Sequence, residues 1–457
     1  MRASRVARKP TRDEPPDRRA PGVLLSVGRV SAPTPSRAAV ALQGWVRAVA
    51  VVLAGLVAMG VVAALGLWAA GAADLPDGAF PRVVAATVVA AVGGTVELSG
   101  NAGGLAESDA GLTVIPLSVT LTGALVLAAG FLRPLRHRAV TSTRELAGWA
   151  ARIAVVWPAA LLGLSLTARQ TFSLSLGDLG DDVLGDLGDL FGISPEVGFT
   201  TDVPATMFFG LLWLAGVLVL ALLVTGGTPL PAPLLRFQES VRPAAYAMVA
   251  LLLTSVGLGV VIGLVVAATR GQAAETFAVI LLGMPNLVWL ALTLGLGATW
   301  NGRVEGSFGL PMPHVLDEVL RGQEVAELNL GTLAEHDGRV WWLVAVDALL
   351  LLAAAFVMAR RSPARMRAWQ HAVRLAVALA LTVLMICLVG RVSAHYGLSV
   401  LGIGDLGGDL GGELFLRPEV WTAVGLALLW GLVAGFLGSL LARWVPRRGE
   451  VAARAQG

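Results

Sequence analysis

The chain has 457 residues, of which 56% are hydrophobic and 14% are charged, and its formal net charge is +3. A soluble domain carries roughly 25% charged residues, so this composition excludes a water-soluble globular protein. The apolar residues are grouped in blocks about as long as the ~20 residues that cross a ~30 Å hydrocarbon core as a helix. Because the alternation of a porin-like barrel is absent, the sequence predicts an all-α fold, a polytopic transmembrane helical bundle of the bacterial inner membrane.

Residues 1–43 are predicted to form a disordered basic tail, because their nine Arg and Lys residues stand among prolines with too few apolar residues for a core. The apolar block at 48–73 is too long and too far along the chain for a cleaved signal peptide. We therefore expect a retained first span with the tail in the cytoplasm. The tail either acts as a topogenic signal alone or also contacts anionic lipid head groups, and we expect no nucleic-acid partner.

The second half of the chain repeats the first. Residues 177–192 (GDLGDDVLGDLGDLFG) and 404–415 (GDLGGDLGGELF) are Gly-Asp loops, each followed by Pro-Glu-Val and an apolar span with Leu-Leu-Trp. Upstream, residues 114–133 align without gaps on 341–360. This succession predicts two tandem copies of a unit of five apolar segments. The predicted boundaries are 44–225 for the first membrane repeat, 226–243 for a Pro-rich linker, 244–443 for the second repeat and 444–457 for a basic cytoplasmic tail.

The distribution of basic residues distinguishes two topologies. Ten full crossings place 21 of the 34 Arg and Lys residues inside, whereas four crossings plus one re-entrant segment per repeat place 26 inside and 8 outside. The positive-inside rule favours the second arrangement, which also places 24 of the 31 acidic residues outside. We therefore expect 8–10 membrane segments in a cell-membrane protein, with both termini in the cytoplasm and both repeats in the same orientation.

The second apolar segment of each repeat has features of re-entry. In the first repeat, segment 80–94 is short and ends in Gly93-Gly94. In the second, segment 277–299 could span by length but contains Gly283-Met284-Pro285-Asn286. Proline and asparagine there predict a break into two half-helices, which survives at membrane depth where protein or a water-filled cavity shields it. The alternative is an ordinary span with a kink.

Asp347 is the sole carboxylate well inside a predicted span, and its aligned partner in the first repeat is Thr120. An ionised carboxylate in hydrocarbon is costly, so a functional role such as cation binding is the default hypothesis. Polar residues at both aligned positions indicate that the two repeats direct this position to a shared interior. The alternative is that Asp347, six residues from the outer end of its span, reaches the membrane interface.

Two further sets of polar residues lie outside the spans. The first set either lines the mouth of a re-entrant pore or belongs to ordinary loops. Its members are Glu97, Asn101, Asn301 and Arg303. The second set consists of carboxylates in the Gly-Asp loops, which either bind hard cations such as calcium or form an acidic outer surface. Its members are Asp178, Asp182, Asp186, Asp405, Asp409 and Glu413. The calcium-loop pattern is missing, which favours the acidic surface.

No motif in the chain identifies a reaction. The five histidines are scattered, the single cysteine is Cys387 in an apolar run, and HExxH, GxSxG and P-loop patterns are absent. We expect no metal site, no cofactor and no enzymatic activity.

The segment GGTVELSGNAGGL from Gly93, the run GLTVIPLSVTLTGALVL from Gly111 and the paired Gly-Asp loops resemble the streptophobe family of very hydrophobic actinobacterial membrane proteins. The resemblance implies an actinobacterial source and a multi-spanning protein of unassigned function, and it supplies no site residues.

The duplicated plan favours a transport-like or channel-like protein with a polar site between the repeats. The alternative is a non-catalytic membrane partner or scaffold that acts through its acidic outer loops or basic tail.

Cysteine accessibility tests the predicted topology. With Cys387 replaced, single cysteines at Ser99, Ser194 and Ser307 should react with an impermeant reagent from outside, and a cysteine at Ser142 should react from the cytoplasm. Reaction of the cysteines at Ser99 and Ser307 from the cytoplasm would contradict re-entry.

Overall fold

A computed structural model describes residues 37–75, 78–101, 106–136, 142–173, 196–226, 228–271, 273–304, 319–320, 325–363, 366–400 and 412–444. The chain divides into two units, residues 1–43 and 44–457, and the second unit contains the fold described below.

Helices make up most of the second unit. They are α1 (Arg37–Ala69), α2 (Phe80–Ala91), α3 (Leu117–Arg136), α4 (Thr143–Thr167), α5 (Val203–Val224), α6 (Ala232–Arg270), α7 (Ala273–Gly295), α8 (Leu330–His336), α9 (Trp342–Arg361), α10 (Ala368–Val389) and α11 (Val420–Arg443). Within the described ranges nine helices, all but α2 and α8, are long and apolar enough to cross a membrane. The predicted polytopic helical bundle is confirmed. Helix α6 begins at Ala232 and so includes most of the predicted linker 226–243.

An antiparallel sheet, which the sequence analysis did not predict, joins the two halves of the chain. Its strands are β1 (Val96–Asn101), β2 (Ala106–Thr113), β3 (Gln170–Ser173), β4 (Glu196–Thr201), β5 (Trp300–Val304), β6 (Ala326–Leu328), β7 (Val392–Val400) and β8 (Gly412–Pro418). The strand order is β3-β4-β1-β2-β7-β8-β5-β6. Strands β2 and β7 form the seam between the halves, with Leu112 opposite Ala394.

Six helices meet the sheet at the same end of the bundle. Helices α4 and α10 run into strands there, and α3, α5 and α11 follow strands, as α9 does through the short helix α8. Helices α2 and α7 also run into strands, but from their C-terminal tips. We call this end of the bundle the sheet side and the other end the opposite side. The sheet pairs backbone groups of segments that would otherwise be irregular loops, which is how such segments satisfy their hydrogen bonds beside an apolar layer.

Helix α2 enters the helical layer from the sheet side and returns to it. Ala85 shares a buried cluster with Ala168, just past the end of α4, and with Phe199 of β4. The C-terminal end of α2 lies deeper, because Val92 lies within 4 Å of the Cβ position of Gly210, seven residues into α5. The chain then reverses at Gly93 and returns to the sheet as β1. This is the geometry expected of a re-entrant segment.

Helix α7 follows the same path in the second half. Helix α6 starts on the opposite side, where Ser240 accepts a hydrogen bond from Arg374 near the start of α10. Helix α7 runs antiparallel to α6, with Ile280 beside Gly263 and the Trp289 indole nitrogen 3.5 Å from the Leu252 carbonyl oxygen. It therefore descends from the sheet side. The chain reverses after Gly295 and returns to the sheet as β5.

The predicted break of this segment into two half-helices is wrong, because α7 is helical through Pro285. Contacts from α3 satisfy polar groups around the proline. The Ser118 hydroxyl donates to the Ile280 carbonyl at 2.9 Å. The Asn286 side chain hydrogen-bonds to the first backbone N–H of α3 and to a carbonyl just before that helix. A proline is tolerated in a membrane helix when neighbouring helices supply such contacts.

Two glycines of the second half should respond oppositely to alanine. Gly297 has a φ of +93°, so Gly297→Ala should cost about 1–2 kcal/mol of stability. The Cβ position of Gly283 has no atom within 4 Å, and this helical position should gain about 0.5–1 kcal/mol from Gly283→Ala. Thermal unfolding in detergent measures both changes. Equal melting temperatures for the two variants would contradict the turn at Gly297.

Candidate functional site at the helix tips

The tips of α2 and α7 have the same backbone geometry. Gly93 and Gly297 have φ values of +92° and +93°. In each tip, the backbone N–H of the residue after this glycine donates to the carbonyl five residues earlier. These hydrogen bonds run from Gly94 to Val89 and from Ala298 to Thr293, and both are 3.0 Å long. Such left-handed turns satisfy carbonyls at a helix C-terminus. They allow each helix to end inside the bundle without exposing unpaired backbone groups.

Hydroxyl groups surround the tip of α2. The Thr120 hydroxyl donates to the Ala91 carbonyl at 2.6 Å, in the last turn of α2, and lies 3.2 Å from the Pro116 carbonyl. The Cβ position of Gly94 lies 2.6 Å from the Thr206 hydroxyl oxygen, and Thr206 is fully buried. The Thr206 hydroxyl itself donates to the Asp202 carbonyl at 2.6 Å, so the first tip has one neutral side-chain donor, Thr120.

The second tip has a carboxylate in place of a hydroxyl. Asp347, in the second turn of α9, is 5% exposed. Its Oδ2 packs against Gly295, at the end of α7, in the space that a Cβ of that glycine would occupy. Among the described residues, Oδ2 has no hydrogen-bond partner. A side chain whose oxygen is buried and unbonded is expensive to retain.

The surroundings of Asp347 offer no counter-charge on the helices packed most closely against α9. The helices that pack most against α9 are α6, α7 and α11, and their residues 244–269, 276–295 and 420–442 contain no Asp, Glu, Lys or Arg. Helix α10 also contacts α9, and its Arg374 donates to the Ser240 carbonyl on the opposite side of the bundle. The carboxyl group also faces a helix C-terminus, where the backbone dipole is negative. This combination disfavours a bare carboxylate and suits a proton or a cation held between the carboxylate and backbone carbonyls.

Thr120 and Asp347 lie at the tips of two different helices rather than at one shared site. Thr120 bonds to the end of α2, whereas Asp347 packs on the end of α7. Helix α7 packs against both α3 and α9, so it lies between the helices that carry the two residues. Each residue therefore contacts the helix tip of its own half of the chain.

Asn286, predicted from the sequence only as a helix breaker, joins the two halves of the chain through hydrogen bonds. Its side-chain amide donates to the Ile115 carbonyl at 2.9 Å and accepts from the Leu117 backbone N–H at 3.1 Å. It therefore caps α3 of the first half from α7 of the second. A single amide in an otherwise apolar run was the available signal, because such a residue is costly in a membrane unless it is paired.

The predicted mouth residues lie in the sheet. Glu97 and Asn101 belong to β1, and Asn301 and Arg303 belong to β5. Strands β2, β7 and β8 separate these two strands, a distance of about 19 Å at the usual strand spacing. The structure therefore does not bring the four residues together at one opening.

The predicted acidic loops lie mostly outside the described residues. This applies to Asp178, Asp182, Asp186, Asp405 and Asp409. The backbone of Glu413 is described, in β8 opposite His395. In the described ranges, no group of three or more His, Cys, Asp or Glu residues could hold a metal ion.

The nine long apolar helices define a multi-pass integral membrane protein. Comparisons with family models, curated proteins and solved structures find no match.

Paired substitutions test the contact between Gly295 and Asp347. Gly295→Ala places a Cβ on the Asp347 carboxyl and should destabilise the protein by about 1–3 kcal/mol. In an Asp347→Ala background the same change should cost little, which gives a coupling energy of about 1 kcal/mol or more. Melting temperatures of the four proteins in one detergent measure this coupling. Additive effects would contradict the contact.

Proposed function

We propose that this protein is a transport-like or channel-like membrane protein in which eight helices cross the bilayer and α2 and α7 re-enter from the outer face. The observation that carries the proposal is the buried Asp347 carboxyl group at the tip of α7, with Oδ2 unbonded within the described residues. Intramembrane carboxylates in such positions commonly serve ion or solute movement. The absence of a nucleotide-binding motif in the sequence favours passive or ion-coupled action.

Exposed tryptophans support the placement of the bilayer. Trp45 and Trp68 lie near the two ends of α1, and Trp421 and Trp444 lie at the two ends of α11. All four are exposed. Each pair is separated by 23 residues, or about 35 Å of helix. Tryptophan is enriched at both membrane interfaces, so this separation fits one bilayer with the sheet side outside and the basic loops in the cytoplasm.

Corresponding features of the two halves support a duplicated plan. The left-handed turns at Gly93 and Gly297 have the same hydrogen bonds. The strand order within the first half, β3-β4-β1-β2, matches that of the second, β7-β8-β5-β6, element for element along the chain. Two copies in the same orientation form the parallel class of transporter repeat.

We further propose that the chain is a member of the streptophobe-like membrane proteins of actinobacteria. The basis is the set of motifs at Gly93, at Gly111 and in the paired Gly-Asp loops.

The sheet favours a second candidate function, a non-catalytic membrane partner. Strands β3 and β6 each pair on one side among the described residues, and such edges can accept a strand from another protein. This role does not need Asp347. The two functions are therefore separated by a substitution at that residue.

Ion flux into sealed vesicles tests the transport proposal. Vesicles that contain the purified protein should dissipate an imposed proton or Na⁺ gradient faster than protein-free vesicles, because the Asp347 carboxyl group can carry the ion past the apolar layer. Asp347→Asn should reduce the flux to the protein-free level. Glu275→Gln is the matched control, because this acidic residue lies in the exposed first turn of α7, at the end away from the tip.

Two results would contradict the proposal. Wild-type vesicles could be as tight to both ions as protein-free vesicles, or Asp347→Asn could retain the wild-type flux. Either result would leave the partner function as the better account.

A further inference from the structure

A small pocket lies on the opposite side of the bundle, between the ends of α9, α10 and α11. Its volume is about 50 Å³. Three polar side chains contribute to its lining, His371 of α10 and Ser439 and Arg443 of α11. His371 and Ser439 are buried, whereas Arg443 is exposed at the end of α11. The pocket has room for a few water-sized groups, such as the oxygens of one phosphate.

The chemistry of the lining selects an anion. Arginine is always protonated, and its planar guanidinium matches the oxygens of a phosphate group. The His371 imidazole adds a further donor, whereas the Ser439 hydroxyl already donates to the Phe436 carbonyl at 2.7 Å. The lining includes no carboxylate. A phosphate group that enters the pocket would therefore meet donors and no repelling charge.

Other arginines near this end have different contacts. The Arg361 guanidinium lies 3.4 Å from the centroid of the Tyr246 ring, and Arg374 donates to the Ser240 carbonyl at 3.1 Å. Arg443 instead lines the pocket. Arg374 also donates to the sulfur of Met366, which lines the pocket. Arg361 is therefore the matched control, because it has the same charge on the same side of the bundle and packs on Tyr246 instead.

The surroundings of the pocket point to a lipid as the source of the phosphate. Trp369 and Trp444, next in sequence to pocket residues Ala368 and Arg443, are 57% and 87% exposed. Exposed tryptophans are typical of the head-group level of a bilayer. From this level an exposed apolar stripe runs along α10 toward the sheet side. Its members are Val373, Val377 and Leu381.

We propose that this pocket binds the phosphate group of an anionic phospholipid, with Arg443 as the main charged donor. The acyl chains then lie on the apolar stripe of α10. The binding site depends on the position of this end at a bilayer interface and is independent of any transport by Asp347.

Binding of phosphatidylglycerol to the full-length protein tests the proposal. The protein in detergent micelles is titrated with phosphatidylglycerol, phosphatidylcholine or inorganic phosphate, and thermal stability gives an apparent affinity. Phosphatidylglycerol should bind saturably and more tightly than phosphatidylcholine. Arg443→Gln should weaken this binding at least about tenfold, the usual effect of losing a charge-assisted hydrogen bond. His371→Gln should also weaken it, and Arg361→Gln should leave it unchanged.

Several results would overturn the proposal. Equal weakening by Arg443→Gln and Arg361→Gln would indicate a diffuse attraction of the basic face. Equal affinity for phosphatidylcholine would remove the preference for an anionic lipid. Stabilisation by inorganic phosphate alone, to the same extent, would assign the pocket to a free anion instead. Since Arg443 is exposed, the Arg443→Gln variant should fold, and its melting temperature without lipid checks this.

Discussion

The fold depends on one constraint, that a helix ending inside an apolar layer must satisfy its last backbone carbonyls. Two helices of this protein, α2 and α7, end within the bundle, and in both a left-handed glycine supplies the solution. Gly93 and Gly297 turn the chain back so that the next amide bonds to a carbonyl of the last turn. The returning chain then enters the sheet, where its backbone groups are paired by neighbouring strands. The helix tips and the sheet are therefore parts of one arrangement.

The same arrangement places the polar residues. A side chain beside a helix tip meets backbone carbonyls, and a hydroxyl group satisfies one of them directly, as Thr120 does at Ala91. A carboxylate cannot donate in this way unless it binds a proton or shares a cation with the carbonyls. Asp347 beside Gly295 is therefore a chemically different tip on a similar backbone. This asymmetry between corresponding positions is the basis of the proposed ion-handling function.

Several parts of this plan could be predicted from the sequence, and others could not. The apolar blocks indicated the long membrane helices, because the length and hydropathy of a block are local properties of the sequence. Re-entry, which the charge counts favour, stays a prediction. The sheet was missed because its seam joins Leu112 to Ala394, which are far apart in sequence, and because glycines and acidic residues in the strands weaken the β-pattern. The break at Pro285 was wrong because contacts from α3 support the helix. The surroundings of Asp347 depend on where α7 ends, which its own sequence does not specify.

Labelling a cysteine at the start of α7 with a membrane-impermeant reagent tests the central claim most directly, because it shows on which side of the membrane this helix begins. With Cys387 replaced by serine, one cysteine is placed at Ala274 in the first turn of α7 and another, in a separate protein, at Glu327 in β6, both of which are exposed. A re-entrant α7 predicts that both cysteines react with an impermeant maleimide from the outer face of intact cells. Reaction of the cysteine at Ala274 from the cytoplasm alone, with the cysteine at Glu327 reacting from outside, would show that α7 crosses the membrane and would contradict this account.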